Sequence, residues 1–320
     1  MKYGILGGVF WALDTVLLSI ALAMTPFMST TQAVFFAPFV STFMHDTFSA
    51  IWLSIYMIVT KQVNHVIEAV KTRGGRFVML GALLGGPVGM TSYLLAIKYL
   101  GPSYTAAISA TYPAFGAFLS YFVLKERLQP YQIVGLGISI VGVILIGYTP
   151  AGGEQVSMLG LLFALLTVFS WGSEAVICSY GMTDGEIPSH YALQIRQMVS
   201  GCVYAVILLP ILKAWPFTIS ILPELSTVVI LVTALAGTLS YACYYKAIKL
   251  ILPSKAMALN ITYSAWAIVF SLVLLGVVPS IKSILCALMI LCGSIMAAYK
   301  KDEDVTSVET NTSMEMNVNA

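Results

Sequence analysis

Two tryptophan–carboxylate pairs are the first residues in this sequence whose spacing could do chemistry. Asp14 follows Trp11, and Glu174 follows Trp171, each at a distance of three residues. On a helix, this spacing places the ring and the carboxylate on one face. Both pairs lie in long apolar segments, where an ionisable side chain costs about 2.5–3.5 kcal/mol and usually faces a cavity or a partner. Rings beside one carboxylate suit a quaternary ammonium ion, which has no N–H to donate.

Further aromatic residues could complete a cage around such a cation. The candidates for its remaining walls are Tyr112, Tyr241, Tyr244, Tyr263 and Trp266. The alternative for any Trp or Tyr in an apolar segment is a place in the aromatic belt at a membrane–water interface. Trp11, Trp171 and Tyr263 favour the cage because they lie deeper in their segments and next to polar residues.

A third group of polar residues could couple or gate a transport cycle. Its members are Asp14, His45, Asp46, Arg196 and Gln197. Buried His and Asp residues can relay protons, or they can hold a neighbouring side chain in position. Two alternatives are purely structural: Glu174 could form an ion pair with Arg196, and Asp14 could pair with His45.

The composition requires a membrane around these residues. The chain has 320 residues, of which 59% are hydrophobic and only 9% are charged, whereas a soluble domain carries about 25% charged residues. The formal net charge of +2 gives no sign of a nucleic-acid partner. The five cysteines lie in apolar segments without a CxxC pair, so we interpret them as packing residues rather than metal ligands.

The apolar segments are long enough for transmembrane helices, which need about 20 residues each. We therefore expect an all-α membrane protein with ten transmembrane helices. The predicted spans are 3–24, 37–60, 77–98, 104–124, 131–149, 158–180, 191–213, 226–248, 254–276 and 280–299. In the third span, the run from Gly85 to Gly89 has no following Lys and is not a phosphate loop; it should kink the helix or admit a close neighbour.

Positive charge predicts the orientation. If the N-terminus is cytoplasmic, only Lys98, Lys213 and Lys282 fall outside, and most of the other Lys and Arg residues lie on the cytoplasmic side. We therefore expect a multi-pass protein of the cell (inner) membrane with both termini in the cytoplasm.

An internal repeat divides the chain. The motif Ala96-Ile97-Lys98 recurs 151 residues later as Ala247-Ile248-Lys249, and Thr111-Tyr112 recurs at the same offset as Thr262-Tyr263. Five spans per half would give the halves opposite orientations, the plan of many secondary transporters. The predicted units are a first five-helix repeat at 1–149, a linker at 150–157, a second repeat at 158–300 and a disordered cytoplasmic tail at 301–320.

With these motifs in view, the chain resembles the drug/metabolite transporter superfamily, EamA type, and within it the LicB-type bacterial choline permeases. The resemblance covers residues 3–300. The motifs that carry it are His45-Asp46, Gly85–Met90, Ala110–Pro113, Trp171–Glu174, Ile195–Gln197, Ser240-Tyr241 and Tyr244-Tyr245. It implies a central cavity in which choline is held by an aromatic box with a nearby glutamate. The matching positions are Trp11, Tyr112, Trp171, Glu174, Tyr241 and Tyr263. Asp14 departs from the family pattern.

We therefore predict a secondary transporter that imports choline or a related small quaternary amine by alternating access. An EamA-type exporter of amino acids or other small metabolites is the alternative. A membrane enzyme or scaffold is a third possibility, but no Ser/His/Asp set, HExxH helix or metal cluster supports catalysis. The expected partners are a choline-like cation and the lipid bilayer, with protons as the candidate coupling ion. Nothing in the sequence indicates a cofactor.

Overall fold

A computed structural model describes residues 1–100, 105, 108–109, 111–147 and 157–299. The predicted linker at 150–157, apart from Ser157, and the predicted tail at 301–320 lie outside these residues. Within the described part of the chain, every regular element is a helix. We number the α-helices in chain order as α1 Lys2–Leu22, α2 Thr25–Met28, α3 Thr31–Val59, α4 Val63–Lys71, α5 Arg73–Leu83, α6 Thr91–Leu100, α7 Tyr112–Val123, α8 Pro130–Gly147, α9 Met158–Asp184, α10 Ser189–Val203, α11 Leu209–Leu212, α12 Trp215–Ile221, α13 Leu225–Ile251, α14 Pro253–Asn260, α15 Tyr263–Leu275 and α16 Ile281–Ala298.

Seven helical segments of the described chain are long and apolar enough to cross a membrane. They are Lys2–Leu22, Arg73–Leu100, Met158–Asp184, Ser189–Leu212, Leu225–Ile251, Pro253–Leu275 and Ile281–Ala298. Helices overlap the other three predicted spans as well, but two of them offer shorter apolar stretches, Tyr112–Val123 and Pro130–Leu145, and α3 carries the polar pair His45-Asp46 near its middle. The all-helical architecture is as expected, while the count of ten spans stays a prediction.

Helix α3 begins at Thr31, earlier than the predicted start at residue 37. The Thr30 hydroxyl accepts a hydrogen bond from the Ala33 amide at 3.0 Å, which caps the first turn. The helix then continues through Pro38. The helix thus begins six residues before the predicted span, because hydropathy marks the apolar part of a helix and not its capped first turns.

Three predicted spans contain interruptions. A π-helical segment, Leu84–Met90, joins α5 to α6 and contains the predicted glycine run and Pro87, and a second, Tyr204–Leu208, follows α10. The span at 254–276 is not one helix, because α14 ends at Asn260 and α15 begins at Tyr263. Between them, the Thr262 hydroxyl donates to the Leu259 carbonyl at 2.6 Å, so a side chain satisfies a carbonyl near the end of α14.

The two halves show matching boundaries and contacts at the predicted offset. Helix α8 and helix α16 begin and end at positions 151 residues apart, and so do the starts of α7 and α15. Helices α8 and α16 pack closely through small residues. A β-carbon on Gly142 would lie 3.1 Å from the Cys286 carbonyl oxygen, and one on Gly293 would lie 2.6 Å from the Gly135 carbonyl oxygen. These two contacts are equivalent under the offset, which is the pattern that an approximate two-fold axis produces.

Candidate functional site

A cavity of about 290 Å³ lies among α1, α3, α6, α9, α13 and the break between α14 and α15. On α1 it is lined from Trp11 to Leu22, and on α3 from Pro38 to Asp46, with no contribution from the opposite ends of these helices. We call the side on which α1 begins the Lys2 side and the side on which it ends the Leu22 side. The cavity extends from the middle of the bundle towards the Leu22 side.

Most of the residues predicted from the sequence line this cavity. They are Trp11, Asp14, His45, Asp46, Tyr112, Trp171, Glu174, Arg196, Tyr241, Tyr244 and Tyr263. Trp266 and Gln197 are not among its lining residues. The indole nitrogen of Trp266 is buried and finds no hydrogen-bond partner among the described residues.

Two pairs of rings form the apolar walls. Trp11 stacks on Tyr263 with ring centroids 3.9 Å apart, and Trp171 meets Tyr112 edge to face at 5.9 Å. Trp11 and Asp14 recur 160 residues later as Trp171 and Glu174, and Tyr112 recurs 151 residues later as Tyr263, so the two contacts are equivalent. Each half therefore supplies one tryptophan that faces a tyrosine of the other half.

Close backbone contacts hold these rings in place. A β-carbon on Gly8 would overlap the Thr262 hydroxyl and lie 3.2 Å from the Tyr263 amide, so Gly8 lets α1 approach the start of α15. A β-carbon on Gly89 would lie 2.8 Å from the Trp171 ring. The glycine run therefore permits the close approach that its composition predicts, and that prediction is confirmed.

Glu174 follows Trp171 by three residues on α9. Its Oε1 accepts hydrogen bonds from Arg196 Nε and from the Tyr245 hydroxyl, each at 3.1 Å. A β-carbon on Gly85 would overlap Oε2, so the carboxylate rests directly on the backbone of the π-helical segment. Glu174 is 8% exposed and lines the cavity. The structural ion pair considered from the sequence is thus present, and the carboxylate still lines the cavity.

The equivalent pair in the first half is Asp14 and His45. His45 Nε2 lies 2.8 Å from Asp14 Oδ1, and His45 Nδ1 lies 3.3 Å from Asp46 Oδ1. Because both ring nitrogens face carboxylate oxygens, the arrangement suits an imidazolium that donates from both. Arg196 Nη1 donates to Asp46 Oδ2 at 3.2 Å, which joins the two pairs into one buried network.

Hydrogen bonds between α3 and α10 repeat the same equivalence. The Ser200 hydroxyl donates to Asp46 Oδ2 at 2.6 Å, and Gln197 Nε2 donates to the Ser49 hydroxyl at 2.8 Å. Under the offset of 151, Ser49 is equivalent to Ser200, and Asp46 is equivalent to Gln197. The two hydrogen bonds therefore join equivalent pairs of positions. Gln197 therefore helps to hold α3 against α10 at the back of the cavity.

Sequence reasoning missed several lining residues. Tyr93 lies 5.2 Å from Trp171 between ring centroids and is the repeat equivalent of Tyr244, a signal that could have identified it. Ser240 and Asn260 also line the cavity. The Asn260 side-chain oxygen has no partner among the described residues. Asn260 is the last residue of α14, next to a break that the hydropathy of that span hides.

The Lys2 side is closed by polar contacts beyond the cavity. Lys249 Nζ donates to the Ile187 carbonyl at 2.8 Å. Glu126, in the connection between α7 and α8, accepts hydrogen bonds from the hydroxyl and the amide of Ser254 at the start of α14. Burial raises the pKa of the Glu126 carboxyl, against the opposing effects of the Ser254 hydrogen bonds and the charge of Lys255.

Comparison with known proteins gives the family. The model of the EamA-like transporter family matches residues 2–148 and again residues 158–299. The chain belongs to this family. Over 224 residues it is 37% identical to protein LicB of Haemophilus influenzae, a match that covers 70% of this chain and 75% of LicB. Over 247 residues it is 26% identical to an uncharacterised transporter of Clostridium kluyveri, covering 75% and 78% of the two chains. A protein of known crystal structure shares the fold, with a TM-score of 0.70 at 15% identity, over 92% of this chain and 96% of the other.

The resemblance to EamA-type transporters is thus confirmed. The chain is a multi-pass membrane transporter for a small molecule, and it is not an enzyme. Apolar residues such as Val206, Ile211 and Val273 are exposed along the helices, as the surface of a membrane protein requires.

Proposed function

We propose that this EamA-family member is a secondary transporter that imports choline or a related small quaternary amine by alternating access. The observation that carries the proposal is the cavity itself, in which the rings of Trp11, Tyr263, Trp171 and Tyr112 surround the space next to Glu174. A quaternary ammonium is held by ring faces and a nearby counter-charge, because it cannot donate a hydrogen bond. The resemblance to LicB-type choline permeases supports the same substrate, and 37% identity to protein LicB supports that resemblance.

The magnitudes are adequate for a metabolite transporter. Each well-placed ring contributes roughly 0.5–2 kcal/mol to binding of a desolvated cation. Micromolar affinity needs about −8 kcal/mol. Three or four rings supply roughly 1.5–8 kcal/mol, so the carboxylate and the burial of the methyl groups must supply the rest and offset the costs of ordering and desolvation.

The buried network has room for one more positive charge. Its acidic members are Asp14, Asp46 and Glu174, and its basic members are Arg196 and His45. Counted with ionised carboxylates and a protonated imidazole, the network is one positive charge short of neutrality. A monovalent cation in the cavity completes it, whereas a zwitterion brings an unmatched carboxylate. If His45 releases and rebinds a proton during the transport cycle, that proton is the coupling ion.

The equivalent contacts in the two halves support two inverted five-helix repeats, 1–149 and 158–300, as the mechanical units. In such transporters, one repeat rocks against the other around a fixed site. Here the cavity reaches the Leu22 side, and Lys249 and Glu126 close the Lys2 side. With the Lys2 side in the cytoplasm, as the distribution of Lys and Arg predicts, this conformation accepts substrate from outside the cell.

The membrane potential can drive import of a cation. One positive charge gains about 2.3 kcal/mol per 100 mV of inside-negative potential, which corresponds to roughly fifty-fold accumulation. Uptake by the purified protein in liposomes should therefore increase when a potassium gradient with valinomycin makes the interior negative.

A transport screen tests the proposal. Purified protein in liposomes is tested for uptake of choline, betaine, carnitine and amino acids, each at zero and at inside-negative potential. Voltage-dependent choline uptake is the expected result. Transport of neutral amino acids without choline would instead favour the exporter interpretation. A C-terminal reporter that is active only outside the cytoplasm would contradict the proposed orientation.

A further inference from the structure

Arg196 contacts two residues that the proposed substrate would also contact. Its Nε donates to Glu174 Oε1 at 3.1 Å, and its Nη2 donates to the Tyr241 hydroxyl at 3.0 Å. The guanidinium carbon lies 4.5 Å from the centroid of the Tyr241 ring. A positive charge beside Glu174 and an aromatic ring is the arrangement that a quaternary ammonium would make in the same cavity. In this structure the guanidinium of Arg196 makes these contacts.

We propose that Arg196 is a tethered substitute for the substrate cation, which holds Glu174 and Tyr241 while the cavity is empty and releases them when substrate binds. The inference rests on the proposed function, since it concerns how that site behaves without its cation. It goes beyond that function because it assigns Arg196 to the return of the empty transporter rather than to substrate binding.

The network gives Arg196 a second set of partners to which it can withdraw. Its Nη1 donates to Gln197 Oε1 at 2.6 Å and to Asp46 Oδ2 at 3.2 Å. Gln197 is not a lining residue of the cavity. A guanidinium has five N–H donors in a fixed fork, so Arg196 can lose its bonds to Glu174 and Tyr241 and still be hydrogen-bonded. Its charge then stays paired with Asp46.

The empty transporter needs such a substitute. Substrate delivery ends with an empty cavity inside the membrane, and the two halves must then rock back. Without a nearby cation, Glu174 would make that movement as an unpaired buried carboxylate, which is strongly unfavourable. Arg196 removes this barrier in the second half. Its equivalent in the first half, His45, pairs with Asp14 in the same way.

Two roles for Arg196 make opposite predictions for binding. If Arg196 only positions Glu174, its removal misplaces the carboxylate and weakens cation binding. If it is a tethered substitute, its removal eliminates a competitor and leaves extra negative charge, so binding becomes tighter while the empty transporter returns more slowly. Net uptake needs the empty return, whereas exchange of internal for external substrate does not.

The experiment uses Arg196→Met, with Arg196→Lys as the matched control that keeps the positive charge. Affinity for choline and for tetramethylammonium is measured by calorimetry on the purified full chain. Choline exchange and net choline uptake are measured in liposomes. For Arg196→Met we expect affinity to rise about threefold or more, and the ratio of exchange to net uptake to rise about tenfold. Arg196→Lys keeps the charge but not the fork of donors, so both quantities should change less than in Arg196→Met.

Weaker binding by Arg196→Met, or an equal loss of exchange and uptake, would overturn the inference while leaving the proposed function intact. If wild-type protein binds neither cation, the proposed function fails and this inference fails with it. Should Arg196→Met not fold, Tyr241→Phe replaces it, because it keeps the ring and removes only the hydroxyl that holds Arg196. The tethered substitute predicts tighter choline binding by Tyr241→Phe, and unchanged or weaker binding contradicts it.

Discussion

Arg196 Nε lies 3.1 Å from Glu174 Oε1, and this ion pair is the repeat equivalent of the pair between His45 and Asp14 at 2.8 Å. The two pairs differ in one chemical respect. The guanidinium is permanently charged, whereas an imidazole can be charged or neutral. The second half therefore carries a fixed charge pair next to the rings, and the first half carries a pair whose charge can change.

The first prediction compares the two carboxylates. Glu174→Gln should weaken choline binding about tenfold, a loss of about 1.4 kcal/mol, because Glu174 lines the cavity as the proposed counter-charge and Arg196 releases it when substrate binds. Asp14→Asn should weaken it less than about threefold, since Asp14 is engaged by His45. Calorimetric titration of both variants with choline measures the difference. Equal and negligible effects of the two substitutions would contradict the assignment.

The same pair should determine how binding depends on pH. Asp14 and Asp46 both contact His45, so loss of the imidazole proton removes the positive charge between them. We expect Asp14→Asn or His45→Gln to flatten the pH profile of choline uptake, while Glu174→Gln lowers uptake at every pH. A profile that is unchanged in all three variants would exclude this pair as the coupling site.

The second prediction uses two glycines. Gly85→Ala adds a β-carbon that would overlap Glu174 Oε2, so the carboxylate must move and choline affinity should fall about tenfold. The matched control is Gly137→Ala, because a β-carbon there meets nothing within 4 Å. In the control, binding should be unchanged and stability should rise by up to about 1 kcal/mol. Binding titrations and thermal unfolding distinguish the two variants, and a fully active Gly85→Ala protein would show that the position of Glu174 does not matter.

The sequence predicts these rings and carboxylates from two local regularities. Helical spacing pairs Trp171 with Glu174, and the repeat offset pairs the tyrosines that the structure brings together. Trp266 shows the limit of the first regularity, since periodicity determines which residues share a face but not which face turns towards the cavity. The contact between Gly85 and Glu174 shows the limit of both, because a close approach between distant helices depends on packing that no local pattern records.

The third prediction tests the cation–ring interaction. Trp171→Ala should reduce choline affinity about tenfold, and Trp171→Phe about threefold, because Phe keeps a ring face next to Tyr112 and Tyr93. The neutral isostere 3,3-dimethylbutanol has the shape of choline without its charge and should compete poorly with labelled choline. If it competes as well as choline does, the cavity selects for shape and the charge-based proposal is wrong.

The last prediction concerns the closed Lys2 side and uses the repeated Ala-Ile-Lys motif. Lys249 Nζ donates to the Ile187 carbonyl, whereas none of the described residues gives its equivalent, Lys98, a hydrogen bond, and its ammonium lies 5.2 Å from the Phe35 ring. Lys249→Met should therefore weaken the closure by about 1 kcal/mol and raise the population of the opposite conformation about fivefold.

A buried cysteine reports this shift. Met257 is fully buried between the cavity and the Lys2 side, so Met257→Cys in a background without the native cysteines should react slowly with a membrane-impermeant maleimide. Adding Lys249→Met should speed labelling from the Lys2 side about fivefold, since the reaction rate follows the open population. Lys98→Met is the matched control and should not increase labelling from that side. Equal acceleration by both substitutions would mean that loss of a surface charge, rather than release of the Ile187 carbonyl, opens the transporter.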